Sequence, residues 1–155
     1  MTNAMNQEQT VLLVDDSEND LLLMRMAFQK AGFNNPLEVV RDGEEAIAYL
    51  KGDGPYKDRL KYPLPGVVLL DLNMPKKTGF DVLAWARSQR GLKHIPIVIL
   101  TASMRLEDVE RAYDLGASSF LVKPPAIEDL VSMIRCLRDW LRMNYLPPLN
   151  EFVRK

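Results

Sequence analysis

Four short segments of this sequence place reactive side chains directly after apolar runs. Val14 is followed by Asp15-Asp16, Leu70 by Asp71, Leu100 by Thr101, and Val122 by Lys123. Each has an ordinary explanation on its own. An aspartate after a strand is most often a helix cap or turn residue, Thr101 could cap the next helix, and most lysines are simply solvated. Together they offer three carboxylates, a hydroxyl and an ammonium. Crowded carboxylates repel: two unit charges ~4 Å apart cost roughly 4 kcal/mol at an effective dielectric near 20. A hard divalent cation relieves this, and Mg2+ takes one or two carboxylates together with waters and phosphate oxygens. A pocket neutralised in this way admits a phosphoryl group, which a carboxylate can attack to form an aspartyl phosphate. Transfer then depends on positioning and on neutralising the equatorial oxygens. Asp71, after the central third run, is the candidate nucleophile. Asp15 and Asp16 are candidate metal ligands, and Thr101 and Lys123 are candidates to hold the other phosphoryl oxygens.

Such a site requires a scaffold that brings strand ends to one edge. Five short apolar runs supply the strands: residues 11–14, 37–40, 67–70, 97–100 and 120–122. Most do not alternate with polar residues, as expected of parallel strands buried on both faces. Helical segments lie between them. Leu21, Met24, Phe28 and Ala31 form one stripe, and Ile127, Leu130, Ile134, Leu137 and Leu141 form another on a last helix beginning after Pro124-Pro125. Ser17 with Asp20, and Asp42 with Glu45, have capping-box spacing. Gly32 and Gly91 are placed to end helices. The order βαβαβαβαβα implies a doubly wound α/β fold, an open parallel sheet with right-handed crossovers and helices on both faces. In such a sheet ligands bind beyond the carboxyl ends of the strands, where the strand order reverses. Residues 52–65 form a long connection, of a kind that is often functional or mobile.

Composition narrows the function further. The 155 residues include 47% hydrophobic and 26% charged side chains, an ordinary balance for one globular domain. Twenty basic against 21 acidic residues argue against nucleic acid as a partner. The single Cys136 excludes an internal disulfide, and the single His94 excludes two-histidine zinc motifs. No apolar run approaches the roughly 20 residues of a membrane span, and Met1 to Thr10 has no signal-peptide core. A cytoplasmic protein without membrane attachment is expected.

Val14-Asp15-Asp16-Ser17, Leu70-Asp71-Leu72-Asn73-Met74-Pro75, Leu100-Thr101-Ala102 and Val122-Lys123-Pro124 resemble the receiver domains of two-component response regulators. The resemblance covers residues 9–143, leaving a flexible N-terminus over 1–8 and an extension over 144–155, with no separate output domain. It implies a flavodoxin-like, CheY-like three-layer sandwich with strand order 2-1-3-4-5. It implies Asp71 as phosphoacceptor, with a sensor histidine kinase or phosphotransfer protein as donor. It also implies Mg2+, with Mn2+ as a substitute, on Asp16, Asp71 and the Asn73 backbone carbonyl, with Asp15 acting largely through water. Thr101 and Phe120 fall at the family's switch positions. Phe120 stands where tyrosine is usual, and plain core packing is its other reading.

The 52–65 loop, the run from Leu72 to Gly79 and the tail from Trp140 to Pro147 resemble small single-domain regulators paired with phytochrome-like kinases. Such a protein catalyses its own phosphoryl transfer and dephosphorylation without turning over a separate substrate, and signals to a downstream protein by phosphorylation-dependent binding. A phosphorylation-independent scaffold with the same fold is the alternative, although such scaffolds usually lack one of the reactive residues. A flavodoxin-like electron carrier is disfavoured by four acids after the first strand, which repel a flavin phosphate. A haloacid dehalogenase-type phosphatase is disfavoured by Asn73, because an amide cannot shuttle a proton. Two further expectations concern geometry. A cis Lys123–Pro124 peptide would turn the lysine back towards Asp71, with Pro124–Pro125 trans. The side formed by the fourth helix, fifth strand and last helix, with Trp140 and the tail, would support a homodimer.

Overall fold

The computed structural model describes residues 5–147. The strands are β1 (Val11–Val14), β2 (Leu37–Val40), β3 (Val67–Leu70), β4 (Ile97–Thr101) and β5 (Ser119–Val122). They alternate with α1 (Glu18–Ala31), α2 (Gly43–Lys51), α3 (Gly79–Ser88), α4 (Leu106–Asp114) and α5 (Ile127–Met143). All strand pairs are parallel, in the order β2-β1-β3-β4-β5. The expected α/β fold and strand order are both present.

The period-two geometry of the strands divides the core between the two faces. Leu12 and Val14 of β1 pack with Val68 and Leu70 of β3 against α2, α3 and α4. Val11 and Leu13 pack with Val67 and Leu69 against α1 and α5. Every residue of β1, β3 and β4 is buried, which explains why their sequences do not alternate. The α1 stripe and four of the five α5 stripe residues are buried as expected; Ile127 is partly exposed.

Helix ends follow local chemistry. The Ser17 hydroxyl accepts the Asp20 N–H (3.2 Å), and the Asp42 carboxylate accepts the Glu45 N–H (2.7 Å). Gly32 ends α1 in the left-handed conformation with φ 71°. Gly91 does not end a helix. The α3 helix stops at Ser88, and Gly91 is buried in a 3-10 turn over Arg90–Leu92. Arg87 accounts for this early stop. Its guanidinium donates to the carbonyls of Leu92, Lys93, Ile95 and Gly116, folding the chain back beneath it.

Two segments outside the strand and helix pattern make contacts with the rest of the fold. Met5 is buried, and Asn35 donates to the carbonyls of Asn6 and Gln9, while Asn6, Gln7 and Glu8 are themselves exposed. The 52–65 connection holds Arg59, which donates to the carbonyls of Tyr49, Leu50 and Tyr62. It also carries Tyr56 and Tyr62, which pack around Tyr49 with ring centroids 5.0 and 6.0 Å away. Pro148, part of the expected tail surface, lies outside the described residues.

Candidate functional site

The parallel register delivers the reactive residues to one edge. Val14 is level with Leu70, so Asp15 and Asp71 leave adjacent strands side by side. Their backbones remain in the sheet's ladder: Asp15 N–H donates to Val40 O (3.1 Å), and Asp71 N–H to Val14 O (3.0 Å). Oxygens of Asp15, Asp16 and Asp71 lie within 4.8 Å of one another. Asp15 and Asp71 are buried and Asp16 is exposed, so the group opens on the Asp16 side.

Lys123 enters from β5. Its backbone N–H donates to Thr101 O (2.7 Å), which makes it the last rung of pairing with β4. Its ammonium lies 2.6 Å from Asp15 Oδ2, 2.9 Å from Asp20 Oδ2 and 3.6 Å from Asp71 Oδ2. The expected cis Lys123–Pro124 bond is not present; no cis peptide occurs among the described residues. The reason is reach: a lysine on the strand's last rung extends its four-carbon stem to Asp15, Asp20 and Asp71 without any reversal of the chain. Pro124–Pro125 is trans, as expected.

Burial dominates the electrostatics. It raises the Asp15 carboxyl above the ordinary carboxylate range, against the opposing pull of Lys123 and of the Ser17 N–H. Burial alone would lower the Lys123 ammonium. The hydrogen bonds it donates to Asp15 and Asp20, with the negative charges of Asp71 and Asp15, more than offset it, leaving the group above the usual lysine range. One ammonium shared among three carboxylates does not neutralise the cluster. This charge imbalance, and the all-oxygen donor set, suit a hard divalent cation.

Asn73 N–H approaches Asp71 Oδ1 at 3.5 Å. Thr101 is fully buried, its hydroxyl accepting from the Ser103 N–H at 3.4 Å. Phe120 is half-buried against the α2–α4 core, and its N–H donates to the Tyr113 hydroxyl of α4 (3.1 Å). Asp20 was legible only as a helix-cap partner; its place beside Lys123 follows from the first turn of α1.

The sequence matches the response regulator receiver domain family over residues 11–135. The chain belongs to that family. This receiver domain is 36% identical over 148 residues to the response regulator Rcp1 of Synechocystis sp., covering 95% of this chain and 99% of that protein. Among solved structures, it superposes on the phosphorylated cyanobacterial phytochrome response regulator RcpA with a TM-score of 0.83 and 34% identity, over 91% of this chain and 99% of that one. The Mn(2+)-bound form of Rcp1 gives a TM-score of 0.80 and 36% identity, over 90% and 99%. The receiver domain's Asp15, Asp16 and Asp71 form a group able to hold a divalent metal. No helix among its described residues is long and apolar enough to cross a membrane.

Proposed function

We propose that Asp71 accepts a phosphoryl group from a histidine kinase or phosphotransfer protein, and that the phosphorylated chain signals by binding another protein. The observation that carries this is the placement of the Asp71 carboxylate beside two other acids, with the Lys123 ammonium 3.6 Å away. An Asp71 carboxylate oxygen attacks phosphorus as the bond to the donor's imidazole nitrogen breaks, and the nitrogen leaves with that bond's electron pair. Water later attacks the acyl phosphate, releasing inorganic phosphate and restoring the carboxylate. Asp16, Asp71 and the Asn73 carbonyl, with Asp15 largely through water, would hold Mg2+, or Mn2+ in its place, which when bound neutralises the acids and the transferred oxygens. Lys123 and the Thr101 hydroxyl bind the remaining oxygens. Thr101 moves towards them, and Phe120 follows as the switch that alters the α4–β5–α5 face.

The receiver unit spans residues 9–143 and works in the cytoplasm. The likeness to RcpA, a phytochrome response regulator by name, favours a phytochrome-like kinase as donor. A groove of about 550 Å3 lined by Leu121, Met133, Cys136, Leu137 and Trp140 supports homodimer formation through the α5 side and tail. Intact mass after acetyl phosphate treatment tests the central claim. A hydroxylamine-labile phosphoryl adduct should form with Mg2+ and be absent from Asp71→Asn. Retained labelling in that variant overturns Asp71; no labelling of the parent chain favours a phosphorylation-independent scaffold.

A further inference from the structure

The Lys123 ammonium has three N–H donors, and two of them are committed away from Asp71. Asp15 takes one at 2.6 Å and Asp20 another at 2.9 Å, whereas Asp71 is at 3.6 Å. Asp20 lies outside the group able to hold a metal. It is also released from the role its spacing suggests. In a full capping box its carboxylate would accept the Ser17 N–H, but Asp15 Oδ1 already takes that N–H at 3.0 Å. The Ser17 hydroxyl fixes the Asp20 backbone, and the first turn of α1 favours its negative charge. A carboxylate anchored in this way, with no partner on its own helix, is aimed at Lys123.

We propose that Asp20 is a positioning residue that parks the Lys123 ammonium beside α1 in the unmodified protein, so that Lys123 must leave Asp20 to engage a phosphoryl oxygen on Asp71. This rests on Asp71 being the acceptor. Asp20 thereby opposes the phosphorylated state and favours return to the unmodified one.

The test is binding of beryllofluoride with Mg2+, read by calorimetry and by the NMR signal of the Lys123 ammonium. Asp20→Asn should bind about threefold more tightly, the scale of a partly exposed ion pair. Its free-state ammonium signal should shift, while the bound-state signal should coincide with that of the parent. Glu18→Gln removes the same charge from the same helical turn, where Glu18 pairs with Arg41, and should leave the affinity unchanged. In a Lys123→Gln background, Asp20→Asn should have no effect. Unchanged or weaker binding in Asp20→Asn overturns the assignment, as does an equal gain in Glu18→Gln or a gain that persists without Lys123. If the parent itself takes no beryllofluoride, the Asp71 reading fails and the Asp20 assignment fails with it.

Discussion

Gly79 stands so close to Asp71 that a Cβ on the glycine would lie 2.2 Å from the Asp71 carbonyl oxygen. Its φ is not in the left-handed region, so space alone demands glycine here. The Gly79 N–H also donates to Leu72 O (3.0 Å), which brings the start of α3 directly beneath the acceptor loop. Gly79→Ala must push Asp71 or α3 aside. We expect a loss of about 1–3 kcal/mol in urea unfolding, the usual range for overpacking, with weaker beryllofluoride binding.

Asp16 is the exposed member of the acidic group, so its removal leaves the core untouched. Asp16→Ala should weaken Mg2+ binding at least tenfold by calorimetry while leaving the urea midpoint nearly unchanged. A chelator should likewise suppress labelling by acetyl phosphate in the parent. An unchanged Mg2+ affinity would remove Asp16 from the metal site.

Tyr56 gives a pH signature remote from the acidic site. Burial, then its hydrogen bond to Glu45 (3.0 Å), pushes its phenol up to about 12. The ordinary value is about 10. Between those values the unfolded chain has lost a proton that the folded chain keeps, so stability falls as pH rises through this window and is fully present below it. Tyr49 shifts the same way, through burial. Tyr56→Phe should flatten the decline and cost about 0.5–1.5 kcal/mol at neutral pH for the lost hydrogen bond. Urea unfolding as a function of pH, with ultraviolet titration of the phenolates, checks both.

Trp140 is 38% exposed beside the α5 groove, and Met143 and Tyr145 are 72% and 79% exposed. Light scattering over a concentration series should show a dimer. Trp140→Ala should weaken it about tenfold, as expected for a buried aromatic anchor, and truncation after Met143 should weaken it too. A strict monomer, with and without beryllofluoride, would exclude this association.

The strands and the acidic edge were legible because each rests on local signals. Continuous apolar runs mark buried parallel strands, and an acid, hydroxyl or ammonium after four of the five runs marks the sheet edge. Long side chains that bond to distant backbone carbonyls leave no such signal. Nothing in the sequence marked Arg87 or Arg59, yet their half-buried guanidinium groups organise the Gly91 turn and the 52–65 connection. Asp20 misled for a related reason: capping spacing identified its backbone role, while its side chain was claimed by a lysine 103 residues away. The mistaken cis bond came from treating direction as a backbone problem when side-chain length solved it.

The hydrogen bond from Phe120 to Tyr113 also bears on how this molecule meets others. The β5 strand is the last in the sheet, and an edge strand is a template for further backbone pairing. At Phe120 the N–H that a sixth strand would need is already occupied by the Tyr113 hydroxyl. Backbone extension of the sheet is blocked at that rung, which steers association on this side towards side-chain contact and away from strand addition.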